Sequence, residues 1–129
     1  MIVVETSAVL CILYREPEAE AFLDILARSE CSGIPVSCFV EAAMNLRRNG
    51  LAAAMLLDLI RAAGMELLAA DERQAHLAAE ADRRFGRATG HPARLNFGDC
   101  LAYAAAIAHD APLLFKGGDF GHTDVKRAA

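Results

Sequence analysis

Ile2-Val3-Val4-Glu5-Thr6-Ser7-Ala8 sets the architecture of this chain. Three consecutive β-branched residues show no polar alternation, so the strand they form is apolar on both faces. Such a strand belongs to a parallel sheet covered by helices on each side. The run stops at Glu5, and Thr6 or Ser7 is placed to cap a short, buried helix over Ala8–Tyr14. Ile34–Val36, Met65–Ala69 and Leu113–Phe115 read as three further short apolar strands, with Pro35 making the first a poor hydrogen-bonding one.

The intervening segments carry helical spacing. Pro17 opens a helix whose apolar face is Ala19, Phe22, Ile25 and Leu26, and Gly33 ends the turn after it. Ser37 is the expected cap of Cys38–Arg48, which stops at Asn49-Gly50; Leu51–Ala63 follows and ends at Gly64. Asp71 caps a polar helix to about Phe85. Gly86–Asn96 reads as a loop, Asn96 as the cap of Phe97–Ala108, and Lys116–Thr123 as a Gly-rich loop, with the last residues an edge strand or frayed. The expected fold is α/β: one three-layer α/β/α domain over residues 1–129 with a short, mostly parallel central sheet.

Hydrophobic residues make up 55% of the 129 and charged ones 23%, which excludes a disordered chain. The longest stretch without a polar residue, Cys100–Ala108, is nine residues, against roughly 20 for a membrane span. Met1-Ile2-Val3-Val4-Glu5 has neither the basic run nor the cleavage site of a secretory signal, so the expected location is the cytoplasm, away from membranes. A net charge of −4 argues against a broad basic surface for gripping nucleic acid. It leaves room for carboxylates that hold cations. Cys11, Cys31, Cys38 and Cys100 form no Cys-x-x-Cys pair and read as reduced thiols.

Sites in parallel sheets form at the carboxyl ends of strands and at the helix starts that follow. Glu5 ends the first strand, Glu41 lies four residues beyond Ser37, Asp99 is in the first turn after Asn96, and Asp119 follows the last strand. Singly, each has a plainer role: Asp99 at the positive end of a helix, Asp119 as a turn residue, Glu41 on a helix face beside Asn45 and Arg48. Glu5 resists that treatment, because an acid ending a buried strand is costly without a partner. Together the four point to a hard divalent cation, Mg²⁺ or Mn²⁺, held by oxygens without His or Cys. No phosphate-cradling glycine loop and no nucleophile elbow is present, and His76, His91, His109 and His122 lack metal-ligand spacing. His91 and His122 remain candidates for touching a substrate. Arg47, Arg48, Arg83, Arg84, Arg87, Arg94 and Lys116 are candidates for phosphate contacts or simply solvated cations.

Met1–Ala8, Val40-Glu41-Ala42, Leu95-Asn96-Phe97-Gly98-Asp99-Cys100-Leu101-Ala102-Tyr103-Ala104 and Leu113-Leu114-Phe115-Lys116-Gly117-Gly118-Asp119-Phe120 resemble, in order and spacing, a PIN domain, in particular the VapC-type toxins of toxin–antitoxin pairs. The resemblance implies an α/β/α metal-dependent endoribonuclease acting on RNA, dimeric and neutralised by a small antitoxin in a hetero-oligomer. It implies that Glu5, Glu41, Asp99 and Asp119 form the acidic quartet around Mg²⁺ or Mn²⁺, that Thr6 or Ser7 supplies a hydroxyl beside the first acid, and that Asn45 is a neighbouring polar contact. The family has Asp where this chain has Glu5. The extra methylene moves the carboxylate by roughly 1.5 Å. Alternative readings are a catalytically attenuated PIN-like binding partner and a flavodoxin-shaped ligand-binding domain.

Overall fold

A computed structural model describes residues 1–129. Four parallel strands form one sheet in the order β3-β2-β1-β4, with β1 at Ile2–Val4, β2 at Ser32–Pro35, β3 at Met65–Leu68 and β4 at Leu113–Leu114. Six α-helices flank it: α1 Thr6–Leu13, α2 Ala19–Arg28, α3 Val36–Arg48, α4 Ala54–Ala63, α5 Glu72–Phe85 and α6 Phe97–Ala108. The central β1 pairs with β2 through Ile2↔Ser32 and with β4 through Val4↔Leu114. Val3, Val4, Ile34, Leu113 and Leu114 are fully buried, as strands covered on both faces must be. Because all four strands run the same way, their carboxyl ends lie along one edge, and α1 and α3 start directly from two of them.

Several boundaries move from the expected ones, each for a local reason. Glu5, not Thr6 or Ser7, caps α1: its carboxylate accepts the Ser7 amide. Strand β2 begins at Ser32 and so includes Gly33, over which the Leu68 side chain packs; a Cβ there would lie 2.7 Å from Leu68 Cγ. Val36 then opens α3, so Ser37 falls inside the helix and caps nothing. Pro17 sits in the turn before α2 rather than in its first turn. Helix α4 starts at Ala54 because Leu51 still belongs to the end of α3. Its amide reaches the Leu46 carbonyl while the Gly50 amide, at φ +73°, reaches Arg47, a Schellman closure.

Other expectations hold as read. Asp71 accepts the Gln74 amide at the start of α5, and Gly64 closes α4 in the left-handed region. Asn96 caps α6. The loop between α5 and α6 contains a 3₁₀ turn, Arg87–Thr89, and that after β4 contains another, Asp119–His122. The last residues form a parallel bridge at the sheet edge, Leu113↔Arg127. All four cysteines are free, and no helix is long and apolar enough to cross a membrane.

Candidate active site

Glu5 leaves the carboxyl end of β1 and is only 5% exposed. Its Oε2 accepts the Ser7 amide at 2.8 Å and also the Ser7 hydroxyl. Ser7 Oγ in turn accepts the Lys116 amide at 2.8 Å, so the acid is tied to the end of β4. Burial pushes its pKa up to about 7; the Ser7 hydroxyl and amide oppose this, and the charges of Asp99 and Glu41 reinforce it.

Glu41 is half-buried on α3, and its Oε1 accepts the Thr6 hydroxyl at 2.9 Å. Its other face meets Gly98 in the first turn of α6, where a Cβ would lie 2.8 Å from the Glu41 Cδ. That glycine is what lets α6 approach α3 so closely. Asp99, half-buried, completes a capping box: its Oδ2 accepts the Asn96 amide at 3.0 Å while Asn96 Oδ1 accepts the Asp99 amide at 2.8 Å. Burial raises the Asp99 pKa; the Asn96 amide lowers it, the Asp119 charge raises it and the Arg87 charge lowers it. Asp119 is exposed at the start of its 3₁₀ turn. The acids thus form a chain of mutual influence, with Glu41 and Asp99 both acting on Glu5 and Asp119 acting on Asp99.

The plain helix-start role for Asp99 is real, yet it engages one oxygen and leaves the other free. Thr6 and Ser7 serve different acids, one Glu41 and the other Glu5. Asn45 Oδ1 accepts the Tyr14 hydroxyl at 2.6 Å and lines a groove with Thr6, Leu10, Glu41, Met44 and Arg48. Val40 and Met44, on either side of Glu41 along α3, are 47% and 41% exposed.

Of the cations, Arg48 borders Glu41 and Arg87 acts on Asp99. Lys116 is held by Glu16 at 2.6 Å and Glu18 at 3.1 Å, Arg83 by Glu80, and Arg84 by Asp124. His91 stabilises its own loop: Nδ1 accepts the Ala93 amide at 3.1 Å and the ring packs edge-on against Phe85. His122 is exposed near Asp119 in the same turn.

One member of the cluster escapes the reading of the acids alone. The Cys38 sulfur and carboxylate oxygens of Glu5 and Glu41 lie within 4.8 Å of one another. The donor set at this edge therefore includes sulfur and is not oxygen-only. The signal in the sequence is the three-residue spacing of Cys38 and Glu41, which places both on one helix face. Burial, then the Glu5 charge, push the Cys38 thiol up to about 12, so it is protonated in the metal-free chain.

Buried carboxylates converging with no Lys or Arg inside the cluster are the chemistry of a divalent-cation site, since a cation relieves their repulsion and desolvation. Residues 2–126 match the PIN domain family model, and the chain belongs to that family. It is 44% identical over 128 residues to Ribonuclease VapC28 of Mycobacterium tuberculosis, covering 98% of this chain and 96% of that one. It is 41% identical to Ribonuclease VapC42 of the same species, covering 98% of each. Among solved structures, VapBC2 from Rickettsia felis bound to a DNA fragment from its promoter superposes with a TM-score of 0.77 at 17% identity, over 98% of this chain and 96% of that one. Mycobacterium tuberculosis VapC20, described as a sarcin–ricin loop cleaving toxin, does so at 0.73 and 15%, over 97% and 96%. At those identities the likeness is one of fold. PIN-domain nucleases generally depend on a divalent metal, and Glu5, Cys38 and Glu41 bring metal-ligating atoms together at this edge.

Proposed function

We propose that this chain is a divalent-metal-dependent endoribonuclease, the toxin of a VapBC-type toxin–antitoxin pair, acting on RNA in the cytoplasm. The observation that carries the reading is the buried Glu5 carboxylate, facing Glu41 and Asp99 with no side-chain cation to balance it. The names of relatives above 40% identity over nearly the whole chain support the same class.

Glu5, Glu41, Asp99 and Asp119 would hold Mg²⁺ or Mn²⁺, and their hard oxygens suit either. Bound there, the ion neutralises the carboxylates, makes a water more acidic for attack at phosphorus and stabilises the charge that develops. The chain's own residues do the rest. Ser7 fixes the Glu5 carboxylate and Thr6 that of Glu41, so neither has to be ordered at the moment of reaction. Asp99 adds its charge, which acts on Glu5, from a helix start rigidified by the capping box. Arg48 lines the groove beside Glu41 and the Arg87 charge acts on Asp99, so both are candidates to dock phosphates, with Asn45 offering a polar contact in the groove.

The partners in this reading are a cognate antitoxin and a second copy of the chain. Support comes from unpaired apolar surface: Val36, Val40 and Met44 recur every four residues along α3 and are exposed, and Phe97 is 83% exposed.

The test is incubation of the antitoxin-free chain with a cellular RNA pool and Mn²⁺ or Mg²⁺, beside Asp99→Asn. Asparagine keeps an oxygen acceptor for the Asn96 amide, so the fold is retained while a ligand charge is lost. Cleavage should need the metal and fall at least 10²-fold in the variant; metal-independent or unaltered cleavage overturns the reading.

The Glu5 side chain, one methylene longer than the Asp of the family, is turned back onto Ser7, and the rate should be sensitive to that length. Glu5→Asp is expected to keep the helix cap and to raise cleavage by about tenfold or more. An unchanged rate would mean that the backbone already compensates for the extra methylene.

A further inference from the structure

We propose that Glu5, Cys38 and Glu41 form a second, thiophilic metal subsite that captures Zn²⁺ or a chemically similar ion and holds the acids in an inhibited arrangement. Three observations carry it. The Cys38 sulfur and the two carboxylate groups converge within 4.8 Å, from the end of β1 and one face of α3. Cys38 is fully buried, and the Thr6 hydroxyl and amide beside its sulfur favour the thiolate form that a metal needs. Asp99 and Asp119 lie outside this trio, so Glu5 is shared between the all-oxygen set with Asp99, whose charge acts on it, and the sulfur-containing set with Cys38.

The chemistry of the donors decides which ion goes where. Thiolate favours zinc, cobalt and cadmium, whereas Mg²⁺ and Mn²⁺ prefer oxygen. Zinc bonds of about 2.3 Å to sulfur and 2.0–2.2 Å to oxygen put tetrahedral donors about 3.3–3.7 Å apart. The trio must therefore close by at most about 1.5 Å, within reach of two glutamate side chains. Three protein ligands leave a fourth position for water. Binding replaces the S–H bond by a sulfur–metal bond and releases that proton to solvent, together with the proton on Glu5 where its carboxyl is protonated, and nothing is oxidised or reduced. Glu5 then serves the soft ion, which removes it from the hard-cation site. Only this inhibitory consequence rests on the nuclease reading; the binding does not.

The binding is read with Co²⁺, which gives a near-ultraviolet charge-transfer band when a thiolate ligates it. The metal-stripped full chain, kept reduced by a non-thiol reductant, is titrated beside Cys38→Ser, Glu41→Gln and Cys31→Ser. The parent and Cys31→Ser should develop the band and lose it when Zn²⁺ is added. Cys38→Ser should show none, and Glu41→Gln should need about tenfold more Co²⁺ or more. If Cys38→Ser does not fold, the Glu41→Gln titration decides alone. No band in the parent, a band that survives Cys38→Ser, or an unshifted Glu41→Gln titration each overturns the subsite. In a separate arm, Zn²⁺ should inhibit Mn²⁺-dependent RNA cleavage by the parent at a concentration at least tenfold below that needed for Cys38→Ser, each normalised to its own uninhibited rate. Failure of all Mn²⁺-dependent cleavage counts against the nuclease reading, and the cobalt band still reports on the subsite.

Discussion

Glu5 carries the heaviest electrostatic burden of any carboxylate in this chain. Its carboxyl, moved from an ordinary 4.5 up to about 7, binds a proton more readily folded than unfolded. Between those two values the native state holds a proton that the unfolded state has lost, so stability is greatest below the lower value and falls as pH rises through about 7. The full cost at pH 8 is on the order of 3 kcal/mol. Melts in a chelator from pH 5 to 8 should show this decline, and Glu5→Gln should remove most of it, leaving the smaller contribution of Asp99. A decline of equal size in Glu5→Gln would place the titrating group elsewhere. The identity of Glu5 as a buried acid was legible from its position after three β-branched residues. Its use of Ser7 as a partner was not, because a local two-residue hydrogen bond looks the same in sequence as a helix cap from Ser7 itself.

At the scale of elements, the site exists because α6 comes to rest against α3. Gly98 permits that contact by leaving room for the Glu41 carboxylate. Gly98→Ala is therefore expected to displace the carboxylate from Thr6 and weaken Mn²⁺ binding by about tenfold, on the scale of a 1 Å misplacement. Alanine is also the better helix former by up to about 1 kcal/mol, so the melting temperature should change little. Calorimetric titration with Mn²⁺ beside a thermal melt separates the two effects. Unaltered affinity would show that the Glu41 side chain simply steps aside. Helix starts at Asp71 and Asn96 could be read directly, since their caps are satisfied within three residues. The start of α3 could not. Ser37 has the chemistry of a cap, but β2 runs on to Pro35 in register with Leu68, and the helix begins as soon as the strand ends.

For the molecule as a whole, the edge of the sheet is closed by its last residues. The Leu113 amide donates to the Lys126 carbonyl at 2.8 Å and the Ala128 amide to Leu113 at 3.0 Å. That segment is anchored by Asp124, which accepts the buried Tyr103 hydroxyl at 2.6 Å and pairs with Arg84 at 3.4 Å. Tyr103→Phe removes one charge-assisted hydrogen bond and should cost about 1.5–3 kcal/mol. Hydrogen exchange should then speed up at the Leu113 and Ala128 amides before it does in β1 and β2. Equal acceleration throughout the sheet would mean that the terminal segment does not open separately.

The sequence by itself determined the α/β class, the apolar strands, the long helices and the four acids worth watching, because strand burial, helical spacing and most caps are decided within a few residues. Tertiary packing alone decided what those acids meet. Thr6 and Glu41 are 35 residues apart, and Ser7 and Lys116 are 109 apart, yet each pair shares a hydrogen bond. Cys38, read as an ordinary core thiol, faces two carboxylates for the same reason. Such distances close only when the parallel sheet aligns its strand ends and the helices dock across it, and no local spacing encodes which side chains then face one another.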